Sequence, residues 1–264
     1  MSAIVIIPSR YQSARFPGKP LALVNNKPMI QHVYERSSLA GRIKAVFVAT
    51  DSQLIFNAVR EFGGNAVMTS SAHISGTDRI AEASAIIRKD GCDADIIVNV
   101  QGDEPMIRPE MIDLVTGIMV DKRADIGTLV KRIDNAGEIN DPNVVKAVFN
   151  DEGFAMYFSR SPVPYHRDIF GTAGMKHGKA AAPDIGTSGL YLFKHIGIYA
   201  YRADILKRFS ELPASRLEDI EKLEQLRALE NGISIKIEQT NYETIGVDTP
   251  MDLERVEKCL NTSL

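Results

Sequence analysis

Residues 3–20 read AIVIIPSRYQSARFPGKP, and their first five letters decide the predicted fold. This run of apolar, mostly β-branched residues stops at Pro8. Such an uninterrupted run is typical of a strand buried on both faces of a parallel sheet. Through the first half of the chain, similar apolar runs alternate with segments whose apolar residues have helical spacing. Strands are expected at residues 44–49, 66–68 and 94–100, and helices at residues 28–39, 51–62, 77–88 and 109–120. The alternation predicts an α/β fold with helices on both faces of a parallel sheet.

The middle of the chain has a different pattern, with apolar runs that follow one another without long helices between them. Strands are expected at residues 126–132, 144–149, 155–158 and 190–201, with a long loop at 161–187. Glu218 to Asn231 predicts one helix that ends before Gly232, followed by a strand at 234–238 and a helix at 250–260. We therefore predict an α/β nucleotide-binding domain formed by residues 1–132 and 201–264. Residues 133–200 are expected to form an inserted β-rich lobe for dimerisation and substrate binding.

Composition narrows the classes of function. The chain has 264 residues and a net charge of −3, which argues against a nucleic-acid partner because such proteins usually carry a basic excess. Its two cysteines form no CxxC pair, which favours a reducing compartment. No apolar stretch has the length of a membrane span, so membrane insertion is not expected. A cytoplasmic protein is the expectation.

The loop after the first strand is rich in positive charge, since Arg10, Arg15 and Lys19 surround Gly18. Backbone N–H groups together with two guanidiniums and an ammonium suit clustered phosphate charge. The loop matches neither the Walker pattern GxxxxGK[ST] nor the dinucleotide pattern GxGxxG. Taken alone, it predicts a triphosphate site or a solvated basic loop with equal weight.

Two carboxylates follow other predicted strands. Asp103 lies in the run NVQGDEP, and Asp248 lies in GVDTPMD. Taken alone, Asp103 is more typical of an Asp-containing turn than of a metal site, and Asp248 or Thr249 is more typical of a helix N-cap. Because ligands bind outside the carboxyl ends of parallel strands, both can converge on one Mg²⁺.

Three further segments carry weaker signals. The small residues of SSAHISGTDR can admit a flat base that Arg79 hydrogen-bonds, or they form a loop capped by Thr77. Arg160 is a candidate bidentate clamp for a carboxylate. His195 and Tyr199 follow on the next predicted strand, where a lone histidine is more often structural than catalytic.

Together these motifs resemble one family. The runs IPSRYQSARFPGKPL, SGTDR, NVQGDEP, YFSRSPVP, KHIGIYAYR, EKLEQLRALENG and GVDTPMDLE are similar to the 3-deoxy-manno-octulosonate (Kdo) cytidylyltransferase family over nearly the whole chain. Ser9 stands where that family usually has alanine, and the segment 168–185 is long and variable. The resemblance implies a Rossmann-like, mostly parallel (mixed) sheet of the nucleotide-diphospho-sugar transferase type. It also implies a smaller β-rich lobe, a homodimer, Mg²⁺ dependence and a role in lipopolysaccharide biosynthesis.

The implied reaction joins CTP and Kdo to give CMP-Kdo and pyrophosphate, with a related acidic sugar such as 8-amino-Kdo as the alternative acceptor. The anomeric hydroxyl attacks the α-phosphorus in line, so no protein nucleophile is needed. The resemblance assigns catalysis to Arg15, Lys19, Asp103 and Asp248, with the two aspartates holding the metal. It assigns nucleotide binding to Pro8, Ser9, Arg10, Arg15, Lys19, Ser75, Gly76, Arg79 and Gln101. It assigns sugar binding to Gln101, Arg160, His195, Tyr199, Glu224 and Gln225.

Overall fold

The structure is a computed structural model that describes residues 1–12, 16–167 and 191–262. Its strands are β1 (Ala3–Ser9), β2 (Leu23–Val24), β3 (Lys27–Pro28), β4 (Ala45–Thr50), β5 (Asn65–Met68), β6 (Ile96–Asn99), β7 (Ile126–Arg132), β8 (Lys146–Phe149), β9 (Ala155–Ser159), β10 (Phe193–Arg202) and β11 (Ile235–Gln239). Its helices are α1 (Met29–Ser38), α2 (Gln53–Glu61), α3 (Gly76–Lys89), α4 (Pro109–Ile118), α5 (Ala203–Ser210), α6 (Arg216–Glu221), α7 (Gln225–Glu230) and α8 (Pro250–Thr262). Short 3-10 turns lie at Lys19–Leu21 and Ala136–Glu138. The predicted α/β class with a mostly parallel, mixed sheet is confirmed.

Two compact units make up the chain. The first contains Met1–Gly127, Gly197–Glu211 and Tyr242–Leu264, and the second contains Thr128–Ile196 and Leu212–Asn241. The unit boundaries differ from the predicted ones mainly at 212–241, a segment that the prediction gave to the nucleotide-binding domain. Its assignment to the second unit follows from its packing, because α7 contacts β9 and β11 pairs with β7.

The first unit is built on β1. This strand pairs in parallel with both β4 and β6, and β5 extends the parallel set beyond β4. Residues 199–202 of β10 run antiparallel to β6. The side chains of β1 from Ile4 to Ile7 are almost completely buried, as expected for a strand covered on both faces. The apolar run that opened the chain is therefore the centre of the first unit's core.

A small hairpin, β2 with β3, precedes α1 and was not predicted. Its two-residue turn consists of Asn25 and Asn26, both with positive φ. Asparagine tolerates this left-handed conformation better than most residues, and a two-residue hairpin turn requires it. The Asn-Asn dipeptide was thus the sequence feature from which this hairpin turn could have been predicted.

The second unit is mostly β-structure. β7 lies between β11 and β10, while β8 pairs with β10 and β9. One sequence prediction in this unit is wrong, because the expected helix from Glu218 to Asn231 is divided into α6 and α7. Ser215 and Glu218 form a capping box at the start of α6, and Lys222 ends it in the left-handed conformation. The break lets Leu223 become buried between the two short helices.

The predicted long loop at 161–187 is described only as far as residue 167, so the variable segment 168–185 lies outside the described residues. The predicted strand 190–201 is observed as β10, shifted to Phe193–Arg202.

We expect Ile6→Ala to lower the free energy of unfolding by about 2–5 kcal/mol, because it leaves a cavity in a close-packed core. Ile6 is completely buried on β1. The matched control is Leu39→Ala in the same unit, where the side chain is 73% exposed and the change should stay within about 0.5 kcal/mol. Urea denaturation measures both values. Equal effects of the two substitutions would contradict the central position of β1.

Candidate functional site

The loops that follow the parallel strands meet at one edge of the first unit's sheet. Ser9 at the end of β1 is level with Thr50 at the end of β4, which is level with Met68 at the end of β5. A cavity of about 320 Å³ opens there, within the size range of small-molecule sites. Its walls come from Pro8, Ser9, Arg10, Lys19, Pro20, His73, Ile74, Ser75, Gly76, Arg79, Gln101, Gly102, Asp103 and Asp248.

The cavity collects most of the predicted nucleotide and metal residues, all within the first unit. Pro8, Ser9, Arg10, Lys19, Ser75, Gly76, Arg79, Gln101, Asp103 and Asp248 line it. Arg15 lies outside the described residues. The prediction that loops distant in sequence converge here thus agrees with the geometry, while the role of each residue stays a prediction.

The basic loop is shaped by Gly18. This residue has φ of +71° and precedes the 3-10 turn that starts at Lys19. A Cβ at this position would lie 3.3 Å from the ring of Tyr11, whose carbonyl accepts the Gly18 N–H at 2.9 Å. Glycine is the residue that adopts this conformation without strain. The loop consequently directs the Lys19 side chain into the cavity.

Lys19 joins the two predicted metal ligands. Its ammonium Nζ lies 2.8 Å from Asp103 Oδ2 and 3.4 Å from Asp248 Oδ1. The two carboxylates thus approach a single positive charge, although they are separated by most of the chain. Their loops are also tied by a hydrogen bond from the Val247 N–H to the Asp103 carbonyl, 2.9 Å long.

The capping alternative holds for Thr249 but not for the carboxylate of Asp248. Thr249 Oγ1 and Asp252 Oδ2 form the N-terminal contacts of α8, and Asp252 Oδ2 also accepts the N–H groups of Asp248 and Thr249. The hydrogen bond from Thr249 outweighs burial and lowers the pKa of Asp252. Asp252 therefore helps to cap α8, and the Asp248 carboxylate contacts Lys19 instead.

The donor set fits Mg²⁺. The described residues contain no group of three or more His, Cys, Asp or Glu side chains that could hold a metal, so a metal at this edge would rely on the two carboxylates Asp103 and Asp248. Mg²⁺ typically takes one or two carboxylates and completes its shell with substrate phosphates and water. The ammonium of Lys19 already marks a point where a cation contacts both carboxylates.

The opposite wall of the cavity is the start of α3. Ser75 caps this helix by accepting the Asp78 N–H at 3.0 Å, and Gly76 lies close to Pro8. The N-terminus of a helix carries partial positive charge and unpaired N–H groups, which favour an anionic ligand. Ser75 and Gly76 therefore lie where an anionic ligand is favoured, and their role in nucleotide binding stays a prediction.

Arg79 lines this wall but is held by the protein itself. Its guanidinium donates to Thr69 Oγ1 at 2.6 Å and to Asp51 Oδ2 at 2.8 Å, and the residue is 3% exposed. These contacts fix the loop after β5 to the loop after β4. The expected hydrogen bond to a base stays a prediction.

Sequence reasoning missed His73, which also lines the cavity. Its Nε2 lies 2.5 Å from Glu82 Oε2, and the same oxygen accepts the Ser70 N–H at 2.8 Å. These hydrogen bonds prevail over the opposing effect of burial, so the pKa of Glu82 is lowered. Nine positions separate His73 from Glu82, and no recognised sequence spacing indicates such a pair.

Glu104 is a second residue that sequence reasoning missed. Burial raises the pKa of its carboxyl to about 8, with a further increase from the neighbouring charge of Asp103. Its Oε2 is buried without a hydrogen-bond partner among the described residues. At neutral pH this carboxyl is mostly protonated, so it adds little negative charge beside Asp103.

In the second unit, Arg160 contacts main-chain carbonyls. Its Nε donates to Glu221 O at 2.7 Å, and its two terminal nitrogens donate to Pro142 O at 2.7 Å and Lys222 O at 3.3 Å. Three of five N–H donors are thereby used. The Glu221 and Lys222 carbonyls are available because the helix is broken at this point. The predicted carboxylate clamp stays a prediction, and these three contacts make Arg160 a structural anchor.

The other predicted sugar-binding residues lie on both units. His195 contacts Thr128 Oγ1 at 2.9 Å and packs edge-on against Phe158, and its burial lowers the pKa of the imidazole to about 4. Glu224 accepts a hydrogen bond from Arg227 at 3.2 Å, and Gln225 is 7% exposed. These three belong to the second unit. Tyr199, in the first unit, is half-buried on β10 opposite Asn99.

Comparisons with known proteins identify close relatives. The family model for cytidylyltransferases matches residues 4–237. A 3-deoxy-manno-octulosonate cytidylyltransferase from Thermodesulfovibrio yellowstonii is 52% identical, and one from Geobacter metallireducens is 49% identical. The alignments cover 99% of this chain in both cases, and 99% and 98% of the relatives.

Solved structures agree. A CMP:2-keto-3-deoxy-manno-octonic acid synthetase complexed with CTP is 42% identical over all of both chains, with a TM-score of 0.87. A 4-diphosphocytidyl-2C-methyl-D-erythritol synthase from Anaerococcus prevotii has a TM-score of 0.60 at 12% identity, which shows a shared fold alone. Among the helices in the described part of the chain, none has the length and apolar character needed to span a membrane.

We expect Gly102→Ala to destabilise the protein by about 1–3 kcal/mol, because overpacking forces the backbone to shift. A Cβ on Gly102 would lie 2.7 Å from the Pro8 carbonyl oxygen, which belongs to β1. Gly246→Ala is the matched control in the same unit, since a Cβ there meets nothing within 4 Å. Thermal denaturation compares the two. A Gly102→Ala variant as stable as Gly246→Ala would refute the close approach.

The pKa of His195 predicts a specific acid sensitivity. The folded-state pKa is about 4, against 6.5 for the free side chain, so the unfolded protein binds more protons between these values. The stability that neutral His195 permits is therefore present above about pH 6.5 and is lost as the pH falls toward 4. Between pH 7 and about pH 4.5, the wild-type protein should lose roughly 2 kcal/mol more of its unfolding free energy than His195→Gln, which lacks the titrating imidazole. Urea denaturation at both pH values measures this difference, and parallel losses in the two proteins would contradict a neutral imidazole at His195 in the folded protein.

Proposed function

Since the chain belongs to the 3-deoxy-manno-octulosonate cytidylyltransferase family, we propose that it transfers the cytidylyl group of CTP to Kdo, giving CMP-Kdo and pyrophosphate. The observation that carries the proposal is the meeting of Lys19, Asp103 and Asp248 at the carboxyl edge of the parallel sheet. It supplies positive charge for a triphosphate and two hard oxygen ligands for a divalent cation in one cavity.

CTP is proposed to occupy the cavity of the first unit. Its triphosphate lies along the basic loop, where Arg10 and Lys19 neutralise its charge. The cytidine lies by Ser75 and Gly76, where the absence of large side chains leaves room for a flat base. His73, held by Glu82, borders the same space.

Chemistry is proposed at the α-phosphorus of CTP. The anomeric oxygen of Kdo gives up its proton to water and forms the new O–P bond as the bond from the α-phosphorus to the oxygen of the β-phosphate breaks, so pyrophosphate leaves. Asp103 and Asp248 would hold Mg²⁺, which supplies charge neutralisation on the phosphates in the transition state. Lys19 stabilises the departing pyrophosphate by its positive charge. Positioning and charge suffice for this transfer, and no side chain is required as a nucleophile.

The family resemblance supports a proposed role in binding the sugar acid for Gln101, Arg160, His195, Tyr199, Glu224 and Gln225. His195 enters this role as a neutral imidazole, because its pKa of about 4 keeps it uncharged at physiological pH. It therefore carries one donor and one acceptor rather than a positive charge, and its Nε2 already contacts Thr128 Oγ1. A panel of acidic sugars that includes 8-amino-Kdo, with CTP and Mg²⁺, would separate Kdo from the alternative acceptor.

Further parts of the proposal rest on the sequence resemblance and on the names of the relatives. They are the Mg²⁺ requirement, the homodimer, the cytoplasmic location and the role in lipopolysaccharide biosynthesis. The two hard carboxylates at one cation position support the first of these.

We expect Asp103→Asn to reduce Mg²⁺-dependent pyrophosphate release from CTP and Kdo by about a hundredfold to a thousandfold, the usual effect when one group that stabilises transition-state charge is lost. The fold should survive, because Asp103 is partly exposed. The experiment is a pyrophosphate-release assay with and without Kdo. Asp151→Asn, at an exposed position of the second unit, is the matched control and should keep wild-type activity. Full activity of Asp103→Asn at ordinary Mg²⁺ would overturn the metal assignment, and no release by the wild-type protein would overturn the function.

A further inference from the structure

The ammonium of Lys19 has a complete set of oxygen partners. Besides Asp103 Oδ2 at 2.8 Å and Asp248 Oδ1 at 3.4 Å, its Nζ donates to the Val247 carbonyl at 2.6 Å. An ammonium has three N–H donors, and these three oxygens match them in number. The side chain is 13% exposed, so the ion pair is more protected than an ordinary surface pair.

The local backbone holds this arrangement in place. The 3-10 turn fixes the start of the Lys19 side chain, and the buried Pro20 anchors the turn. On the other side, the Val247 N–H donates to the Asp103 carbonyl, which keeps the two carboxylates near each other. Lys19 is therefore a tethered cation at a defined point and not a mobile surface lysine.

We propose that Lys19 competes with the divalent cation for Asp103 and Asp248, so that metal binds well only together with the nucleotide. The inference rests on the proposed function, which assigns these carboxylates to the metal. A metal that binds by itself must displace the ammonium from three oxygens into water. A triphosphate supplies replacement acceptors for the same ammonium, so its arrival releases the carboxylates at a much smaller cost in free energy.

Two consequences follow from this exchange. Metal and nucleotide favour each other's binding by the same factor, because thermodynamic coupling between two sites is reciprocal. Free metal also does not occupy the site in advance, and the ammonium prevents the two carboxylates from repelling each other. Lys19 thus has a positioning role toward Asp103 and Asp248 in addition to its contact with phosphate.

The test measures binding of Mn²⁺ alone, by electron paramagnetic resonance, to the full-length protein without nucleotide. Mn²⁺ takes the same hard oxygen ligands as Mg²⁺. We expect Lys19→Met to bind Mn²⁺ at least about tenfold more tightly than wild type, a factor within the usual range for coupled sites. Lys19→Arg, which keeps the charge, should remain close to wild type. A merely structural lysine predicts lower stability in Lys19→Met with no gain in metal affinity.

The matched control is Lys27→Met, because Lys27 forms an exposed ion pair with Glu35 at 2.8 Å and does not line the cavity. It should leave Mn²⁺ affinity unchanged. Circular dichroism and thermal denaturation verify folding of each variant, and Lys19→Gln replaces Lys19→Met if the latter does not fold. Mn²⁺ affinity equal to or below wild type in the folded, neutral variant overturns the inference.

A double variant separates this inference from the proposed function. Adding Asp103→Asn to Lys19→Met should abolish the gained Mn²⁺ site. If the gained site survives, the metal lies elsewhere and both the inference and the proposed metal site are wrong. If no site is gained but Asp103→Asn still abolishes Mg²⁺-dependent turnover, only the competition by Lys19 is wrong.

Discussion

The parallel pairing of β1 with β4 and β6 is the constraint on which the rest of the site depends. Parallel neighbours end at the same edge, so the loops after them must share one small region of space. The crowding is severe, because the loop after β6 approaches the Pro8 carbonyl so closely that only glycine fits at position 102. Burial of β1 thus determines the fold of the first unit and also brings distant polar residues together.

Much of the fold could be predicted because its signals are local. Apolar runs and helical spacing indicated the alternating elements, and strand ends indicated where Asp103 and Asp248 would lie. The broken helix could not be predicted in this way, since its spacing remains helical through Lys222. The break depends on burial of Leu223 and on carbonyl contacts with Arg160, which only the folded chain supplies.

The site was predictable in position but not in its internal contacts. Sequence motifs indicated which loops carry charge, but they did not show that Asp252 would take over the cap of α8 and leave Asp248 facing Lys19. They also did not reveal His73, whose partner Glu82 lies on the second turn of α3. The environment of Glu104 was equally hidden, because a pKa of about 8 arises from burial rather than from neighbours in sequence. At neutral pH the largely protonated Glu104 therefore adds little negative charge next to Asp103.

The anchoring of Arg160 restricts which residues can occupy position 222. Arg160 contacts the carbonyl oxygen of Lys222, and a carbonyl is present whatever the side chain. What residue 222 must supply is a backbone that adopts φ of +54°. Asparagine or glycine meets that condition with less strain than lysine. Substitution at position 222 is consequently limited by backbone conformation more than by charge, because the ion pair of Lys222 with Asp219 at 3.5 Å is exposed to solvent.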